Sequence, residues 1–194
     1  MRARGLVYRY GQHLLSKIAK DRRGVSAIEF ALILPVILVL MAASEDLGQA
    51  LMVDRRINQI AATASDMTAQ QASWTTTNLD AILAGTSTII QPFPSGNLKI
   101  VVAVVNVDAS LNTTVAWSRG YNATAWTVGT VPPFALSKTI LKSGVQMVMS
   151  QVTYSFSTPF ATLLKPVTGI TNYSYTRNGI NRPRTSDTIT LTGS

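Results

Sequence analysis

The residues of this chain that are best placed to do chemistry are Val25 and Glu29, at the start of a long apolar run. Gly24 comes directly before them and follows the basic pair Arg22 and Arg23. A cut after Gly24 would expose the amine of Val25, and Glu29 is a carboxylate whose burial in a membrane is costly. The pattern favours a role for Glu29 in neutralising such an amine on a neighbouring subunit. The alternative is that Glu29 reaches the lipid headgroups and has no specific role.

Other kinds of chemistry have few candidate residues. The chain has no cysteine and one histidine, His13, which lies before the apolar run. A thiolate metal site, a cysteine nucleophile and a Ser-His-Asp triad are therefore not expected. The downstream sequence also lacks a Gly-rich phosphate loop, a Ser-x-x-Lys pair and closely spaced carboxylates. We expect no enzymatic activity, no metal or other cofactor, and no small-molecule substrate.

The positive charge of the chain is concentrated at its beginning. Residues 1–24 contribute +6 of the formal charge of +8, and the rest of the chain contributes +2. Phosphate backbones are bound by clustered cations, which the nearly neutral downstream sequence does not offer. We therefore expect no nucleic-acid partner.

The apolar run itself must position these residues. It extends from Val25 to Ala43, and its 19 residues would form a helix about 28 Å long, close to the thickness of a bilayer's hydrocarbon core. The run therefore predicts a transmembrane helix. Basic residues precede it, and Glu45, Asp46 and Asp54 follow it, which places the N-terminus in the cytoplasm. Pro35 removes a backbone hydrogen bond within the span and is expected to kink the helix.

Two further helices are expected after the span. Apolar residues recur at helical spacing over residues 44–71, which predicts an amphipathic stalk helix that is compatible with one long helix through span and stalk. Asn78 is expected to cap a short helix over Leu79–Ile90. The proline-containing segment Gln91–Gly96 ends that helix.

The second half of the chain is rich in β-branched residues and in alternating apolar and polar residues. The predicted strands are Leu98–Val107, Thr113–Trp117, Val145–Phe156, Tyr173–Arg177 and Thr188–Leu191. Arg119–Ala123 and Gly129–Pro133 are expected to be surface connections. The predicted fold class is α+β: a long N-terminal helix, transmembrane plus stalk, followed by an antiparallel β-rich C-terminal domain with one short helix.

Two groups of side chains in this domain could form a binding surface or could be structural. The first group is the tryptophans, Trp74, Trp117 and Trp126, for which core packing is the expected role. The second group is the arginines, Arg177, Arg182 and Arg184. We expect these arginines to be solvated on a terminal strand, with a cationic patch for an acidic partner as the alternative.

The segment Gly24–Pro35, GVSAIEFALILP, resembles the start of TadE-like minor pilins (pseudopilins) of the tight-adherence (Tad/Flp) pilus, which is related to type IV pili. The resemblance implies that a membrane-embedded aspartyl prepilin peptidase cuts after Gly24 and makes Val25 the new N-terminus. It also implies that Glu29 and Phe30 are the family's motif pair and that the mature protein assists pilus assembly. Arg22 and Arg23 would then fix the topology and help the peptidase to recognise its substrate.

The resemblance implies an organisation and a set of partners. The expected parts are a cytoplasmic leader (1–24) that is removed, a transmembrane helix (25–43), a stalk helix (44–71) and a periplasmic β-rich domain (72–194). The expected partners are the inner-membrane bilayer, the prepilin peptidase, and other Tad pilins and assembly proteins. The family's Glu-Phe-Gly-like step after the span is replaced here by Ser44–Gly48, and the resemblance is strong over roughly the first third of the mature chain.

Two alternatives remain open at this stage. One is an uncleaved single-pass inner-membrane protein whose periplasmic domain binds a ligand or the cell wall. The other is a secreted enzyme or adhesin released by signal peptidase after Ala43, although Met41 stands where that enzyme favours a small residue.

Overall fold

A computed structural model describes residues 23–193, with the backbone alone at Arg23 and Val167. The predicted leader, including His13 and Arg22, lies outside the described residues. The chain divides into two compact units between Glu45 and Asp46, and the second unit holds the whole β-rich domain.

Span and stalk form one helix, α1, from Arg23 to Ala69, as the sequence predicts to within two residues. Every residue from 24 to 41 is exposed. In the second unit the same helix contributes fully buried side chains to the core, namely Val53, Ile57, Ile60, Ala61 and Ala64. The apolar residues that recur at helical spacing in the stalk therefore form the face of α1 that is buried in the domain core.

The C-terminal end of α1 is fixed by hydrogen bonds from later parts of the chain. The indole Nε1 of Trp74 donates to the Thr68 carbonyl at 2.9 Å, and the backbone N–H of Arg184 donates to the Ala69 carbonyl, also at 2.9 Å. These bonds satisfy carbonyls that a helix end leaves without partners. Strand β1 (Ser73–Thr75) follows and pairs in parallel with β6 (Thr190–Thr192), a two-stranded parallel sheet that the sequence analysis did not predict.

Helix α2 begins three residues earlier than expected, at Thr76, and runs to Ser87. The prediction that Asn78 is its cap is wrong: the Thr75 side chain accepts a hydrogen bond from the Asn78 backbone N–H at 3.2 Å. Threonine and asparagine are both good caps, and here the cap is Thr75, the last residue of β1. A single 3₁₀ turn, Thr88–Ile90, completes the segment.

The main sheet has four antiparallel strands in the order β3-β2-β4-β5, which confirms the predicted class. The strands are β2 (Leu98–Val107), β3 (Thr113–Tyr121), β4 (Met147–Phe156) and β5 (Tyr173–Asn181). The predicted connection at Arg119–Ala123 is wrong over Arg119–Tyr121, which pair with β2. The turn begins only after Tyr121, and the missing side chain of Gly120 leaves room for the Ala123 carbonyl.

Both faces of the sheet are covered. One face packs against α1 and α2, and residues such as Ala103, Val105 and Met149 pack under the 126–141 segment on the other face. Strand β2 is almost continuously buried, which explains its uninterrupted apolar sequence. The tryptophans are structural, as expected: all three are buried or half-buried against these two clusters.

A third helix, α3 (Ala161–Thr168), has no counterpart in the sequence prediction, which contains one short helix after the stalk. Its eight residues are too few to give a periodic signal, and Pro166 within it suggests a helix breaker.

Candidate functional site

The predicted processing and pairing residues lie together in the first turns of α1. Gly24 and Glu29 are exposed, and the exposed fractions of Val25 and Phe30 are 50% and 60%. Val25 and Glu29 are four residues apart in a helix, so their side chains leave the same face. Arg23 begins the helix.

Gly24 is not required by the fold of the described residues. A Cβ atom placed there would meet no heavy atom within 4 Å, and the backbone is not left-handed. A glycine inside a helix costs about 0.5–1 kcal/mol relative to alanine. The reason for a glycine at this position therefore lies outside the packing of residues 23–193.

The span is long and apolar enough to cross a membrane. It is the one helix among the described residues that meets this criterion of length and composition. Its large apolar side chains, including Leu32, Leu40 and Met41, are exposed. Pro35 lies within the unbroken helix. Just after the span, the Ser44 hydroxyl donates to the Leu40 carbonyl at 2.9 Å, so that this hydroxyl needs no partner outside the helix.

In the second unit, carboxylates of α1 pair with one arginine in β5 and one that follows it. Arg177 pairs with Asp54, and Arg184 pairs with Asp66. Both arginine side chains remain in contact with solvent, as expected, and each is in addition paired with a carboxylate of α1. Half-exposed pairs of this kind contribute roughly 0–1 kcal/mol each, but together they fix the register of α1 along β5.

Arg182 does not join this pattern, because its guanidinium donates to the Ile140 carbonyl. The three arginines therefore serve three different partners, and the sequence cluster does not form one cationic surface.

The closest approach between α1 and the sheet is at Gly179. A Cβ atom there would lie 2.5 Å from the Ser150 Oγ and 2.6 Å from the Ser65 Oγ, and closer still to the Ala61 carbonyl oxygen. The Ser150 hydroxyl donates to that carbonyl at 2.7 Å. The side-chain amide of Asn181 donates to the Ser65 hydroxyl at 2.8 Å. Small and polar side chains thus let the helix and β5 touch while their buried polar groups stay bonded.

Asp46 holds the beginning of the domain to the segment before α3. The side chain is buried, and its carboxylate accepts hydrogen bonds from the Thr158 hydroxyl at 2.5 Å and from the Phe160 backbone N–H at 3.0 Å. A buried carboxylate is stable only with such partners. This contact therefore fixes α3 beside the first turn of α1 in the second unit.

Helix α2 is tied to its neighbours by polar contacts. Asp80 pairs with Arg119 of β3, and the hydrogen bond from this partner raises the pKa of Arg119 above its usual value. The Arg56 Nη1 of α1 donates to the Ile89 carbonyl at 2.8 Å. Between α1 and α2 lies a shallow apolar groove of about 450 Å³, lined by Thr63, Met67, Ala81, Ile82, Gly85, Thr86 and Ile89.

Tyrosines line the end of the sheet that lies nearest Asp46. Burial raises the pKa of Tyr154, whose hydroxyl donates to the Pro94 carbonyl at 2.9 Å. Burial also raises the pKa of Tyr175, whose ring stacks on that of Tyr173 with centroids 6.3 Å apart. These hydroxyls stay neutral and able to donate at physiological pH.

Within residues 23–193, no group of three or more histidine, cysteine, aspartate or glutamate side chains is arranged to hold a metal ion. The exposed apolar start of α1 and its later face, which packs into the domain, are the two main features of this helix. Residues 24–66 match the family model of TadE-like proteins. The TadE-like match begins at Gly24 and ends within the part of α1 that is packed into the domain.

No curated protein matches the chain, and no solved structure matches it. The TadE-like match is confined to the α1 segment, and it agrees with the resemblance found in the sequence.

Sequence reasoning did not find the residues that bind α1 to the domain. Asp46, Ser65, Ser150 and Gly179 are far apart in the chain, and each has an ordinary surface interpretation. A glycine within an otherwise strand-like segment was the available signal, since it marks a close backbone approach.

Proposed function

We propose that this chain is a minor pilin (pseudopilin) that assists assembly of a Tad/Flp-type pilus, a fibre for surface attachment and biofilm formation. A prepilin peptidase removes the leader after Gly24. The mature protein is anchored by α1 in the bacterial inner membrane with its β-rich domain in the periplasm, and it associates there with other pilins and assembly proteins.

The observation that carries this proposal is the position of the TadE-like match, which begins at Gly24 and continues along α1. The exposed apolar surface over residues 24–41 supports the membrane anchor, because water would not stabilise it. The open space around Gly24 supports processing. A glycine without a packing role is explained if a peptidase must bind the extended or unwound chain tightly at this position.

Glu29 acts in assembly through charge. After cleavage, the Val25 amine lies near the cytoplasmic end of the span, where the surroundings have a low dielectric constant. The carboxylate of a neighbouring subunit's Glu29 compensates that amine, and the pair sets the axial register between adjacent helices. The residues Val25 and Glu29 are both exposed in the described chain, so both positions are accessible to a neighbour.

Lateral contact continues beyond the span. Leu47, Leu51 and Met52 are exposed on α1, with exposed fractions of 61%, 52% and 47%, and Gly48 lies among them with open space where a Cβ would be. A flat apolar helix face of this type favours close packing against another helix. Because the opposite face of α1 is in the domain core, such packing would hold the domain in a fixed orientation.

Replacing Glu29 tests the charge-pairing step in a strain that lacks the native gene. We expect Glu29→Gln and Glu29→Ala to be processed normally, because Glu29 is five residues after Gly24 and is not next to the cut bond, but to restore few surface pili. The measurement is the mature protein in membranes together with the pilus yield sheared from cells. Leaving a lone ammonium group in the helix bundle costs several kcal/mol, enough to prevent stable incorporation.

Glu45→Ala is the matched control, since it removes a carboxylate from the same helix beyond the span. It should restore pili as the wild-type chain does. Normal pilus yield with both Glu29 variants would remove the charge-pairing mechanism. A strain without the gene that still makes normal pili would remove the assembly role itself.

A further inference from the structure

Helix α3 exposes apolar side chains where a soluble domain would be expected to show polar ones. Leu163 is 58% exposed, and Phe160 and Ile170, which flank the helix, are 38% and 44% exposed. On the opposite side, Ala161 and Leu164 are buried in the domain. The helix therefore presents apolar side chains both on the face that packs into the domain and on part of its exposed face.

The position of this helix in the chain is informative. Asp46 is hydrogen-bonded to the Phe160 backbone N–H and the Thr158 hydroxyl, so the N-terminal end of α3 lies against residue 46. Asp46 is three residues after Ala43, the end of the proposed span. Three residues extend at most about 11 Å. The hydrogen bonds to Asp46 therefore leave only a short length of chain between the N-terminal end of α3 and the end of the span.

The charge of the segment agrees with that location. Residues 157–172 contain one cation, the exposed Lys165, and no carboxylate. The next residue is Tyr173, which begins β5 and is half-buried. A lysine beside exposed apolar residues, together with a neighbouring tyrosine, is typical of protein surfaces at the boundary between lipid and water.

We infer that the segment 157–172 is a second membrane contact, in which α3 lies on the periplasmic surface of the bilayer with Phe160, Leu163 and Ile170 among the lipid headgroups. This inference rests on the membrane anchoring in the proposed function. The contact orients the domain on the membrane: α1 fixes one point, and α3, held by the buried Asp46, fixes a second. Such a domain is prevented from tilting freely about the end of the span.

Single cysteine variants can test the contact, because the chain has no native cysteine. The full chain with Leu163→Cys is labelled with the fluorophore NBD and reconstituted in vesicles of phosphatidylcholine and phosphatidylglycerol. Quenching by lipids that carry a doxyl group near the headgroup is then measured. We expect a blue-shifted emission and loss of most of the fluorescence with the doxyl lipid, and the same result with Ile170→Cys.

Val131→Cys is the matched control, because Val131 is 75% exposed and belongs to the segment that bonds to Val115, at the other end of the sheet. Its label should be neither shifted nor quenched. Leu40→Cys, in the span, reports insertion and should be strongly quenched. If the Leu163 and Ile170 labels behave like the Val131 label while the Leu40 label is quenched, the inference is overturned and the anchor stands.

Two other outcomes also overturn it. A Leu163 label that is blue-shifted but insensitive to doxyl lipid would show that protein, not lipid, covers α3. Absence of quenching at both Leu40 and Leu163 would overturn the membrane anchor together with this contact.

Discussion

Gly24→Ile should leave the chain unprocessed and the cells without pili. A Cβ atom at this position would meet nothing within 4 Å, and we expect the helix and the domain to be unaffected. The peptidase, in contrast, would have to accommodate a β-branched residue next to the bond that it cuts. The expected result is a membrane-bound protein that keeps its basic leader, seen by intact mass, and a loss of surface pili by electron microscopy.

Gly48→Ile provides the comparison within the same helix. Gly48 also has open space around it, but it lies beyond the span and far from the cut. This variant should be processed like the wild-type chain, whatever its effect on later assembly. Normal piliation in cells that carry only Gly24→Ile would contradict the assembly role, and efficient cleavage of that variant would contradict the assigned cut site.

Gly179→Ala should destabilise the domain by about 2 kcal/mol, since a side chain forced into a close-packed contact typically costs about 1–3 kcal/mol. Its Cβ would lie 2.5 Å from the Ser150 Oγ and 2.6 Å from the Ser65 Oγ, and the nearby Ala61 carbonyl belongs to the helix backbone and cannot move aside. For a domain of this size the Tm should fall by roughly 5–8 °C. Thermal unfolding can be followed by tryptophan fluorescence, because all three tryptophans belong to this domain.

A glycine-to-alanine substitution in α2 should not lower the stability of the domain. Gly85→Ala adds a Cβ that meets no atom within 4 Å, and it should be neutral or stabilising by up to about 1 kcal/mol. If Gly179→Ala unfolds at the temperature of the wild-type chain, α1 and β5 are not in the close contact described, and the domain is assembled differently around the helix.

The elements with a clear period could be predicted from the sequence. Helix α1 and strand β2 were found almost to the residue. A long apolar run with helical spacing after it favours a helix, and a dense run of β-branched residues favours a strand. The antiparallel sheet followed from the alternation in β4 and β5. Helix α3 and strand β1 could not be found, since three to eight residues carry too little periodicity. The segment Thr188–Leu191 was predicted as a strand and overlaps β6, but its parallel pairing with β1 was not predicted.

The contacts between these elements were beyond the reach of the sequence. Nothing in the sequence distinguishes Arg177 and Arg184 from ordinary solvated arginines. Only the placement of α1 along β5 brings Asp54 and Asp66 close to them. Likewise, the sequence suggests that Asp46 is an exposed charge that follows the span. In the structure its side chain is buried and accepts a hydrogen bond from the Thr158 hydroxyl. The motif Gly24 to Phe30 is the reverse case: the sequence suggests its role, whereas within residues 23–193 these residues are exposed and no packing contact accounts for Gly24.

The account depends most directly on which residue begins the mature protein. Intact mass or N-terminal sequencing of the chain recovered from membranes of its own bacterium should give Val25 as the first residue. A chain that begins with Met1 would contradict processing and favour an uncleaved single-pass protein, and a chain that begins with Ser44 would indicate secretion by signal peptidase.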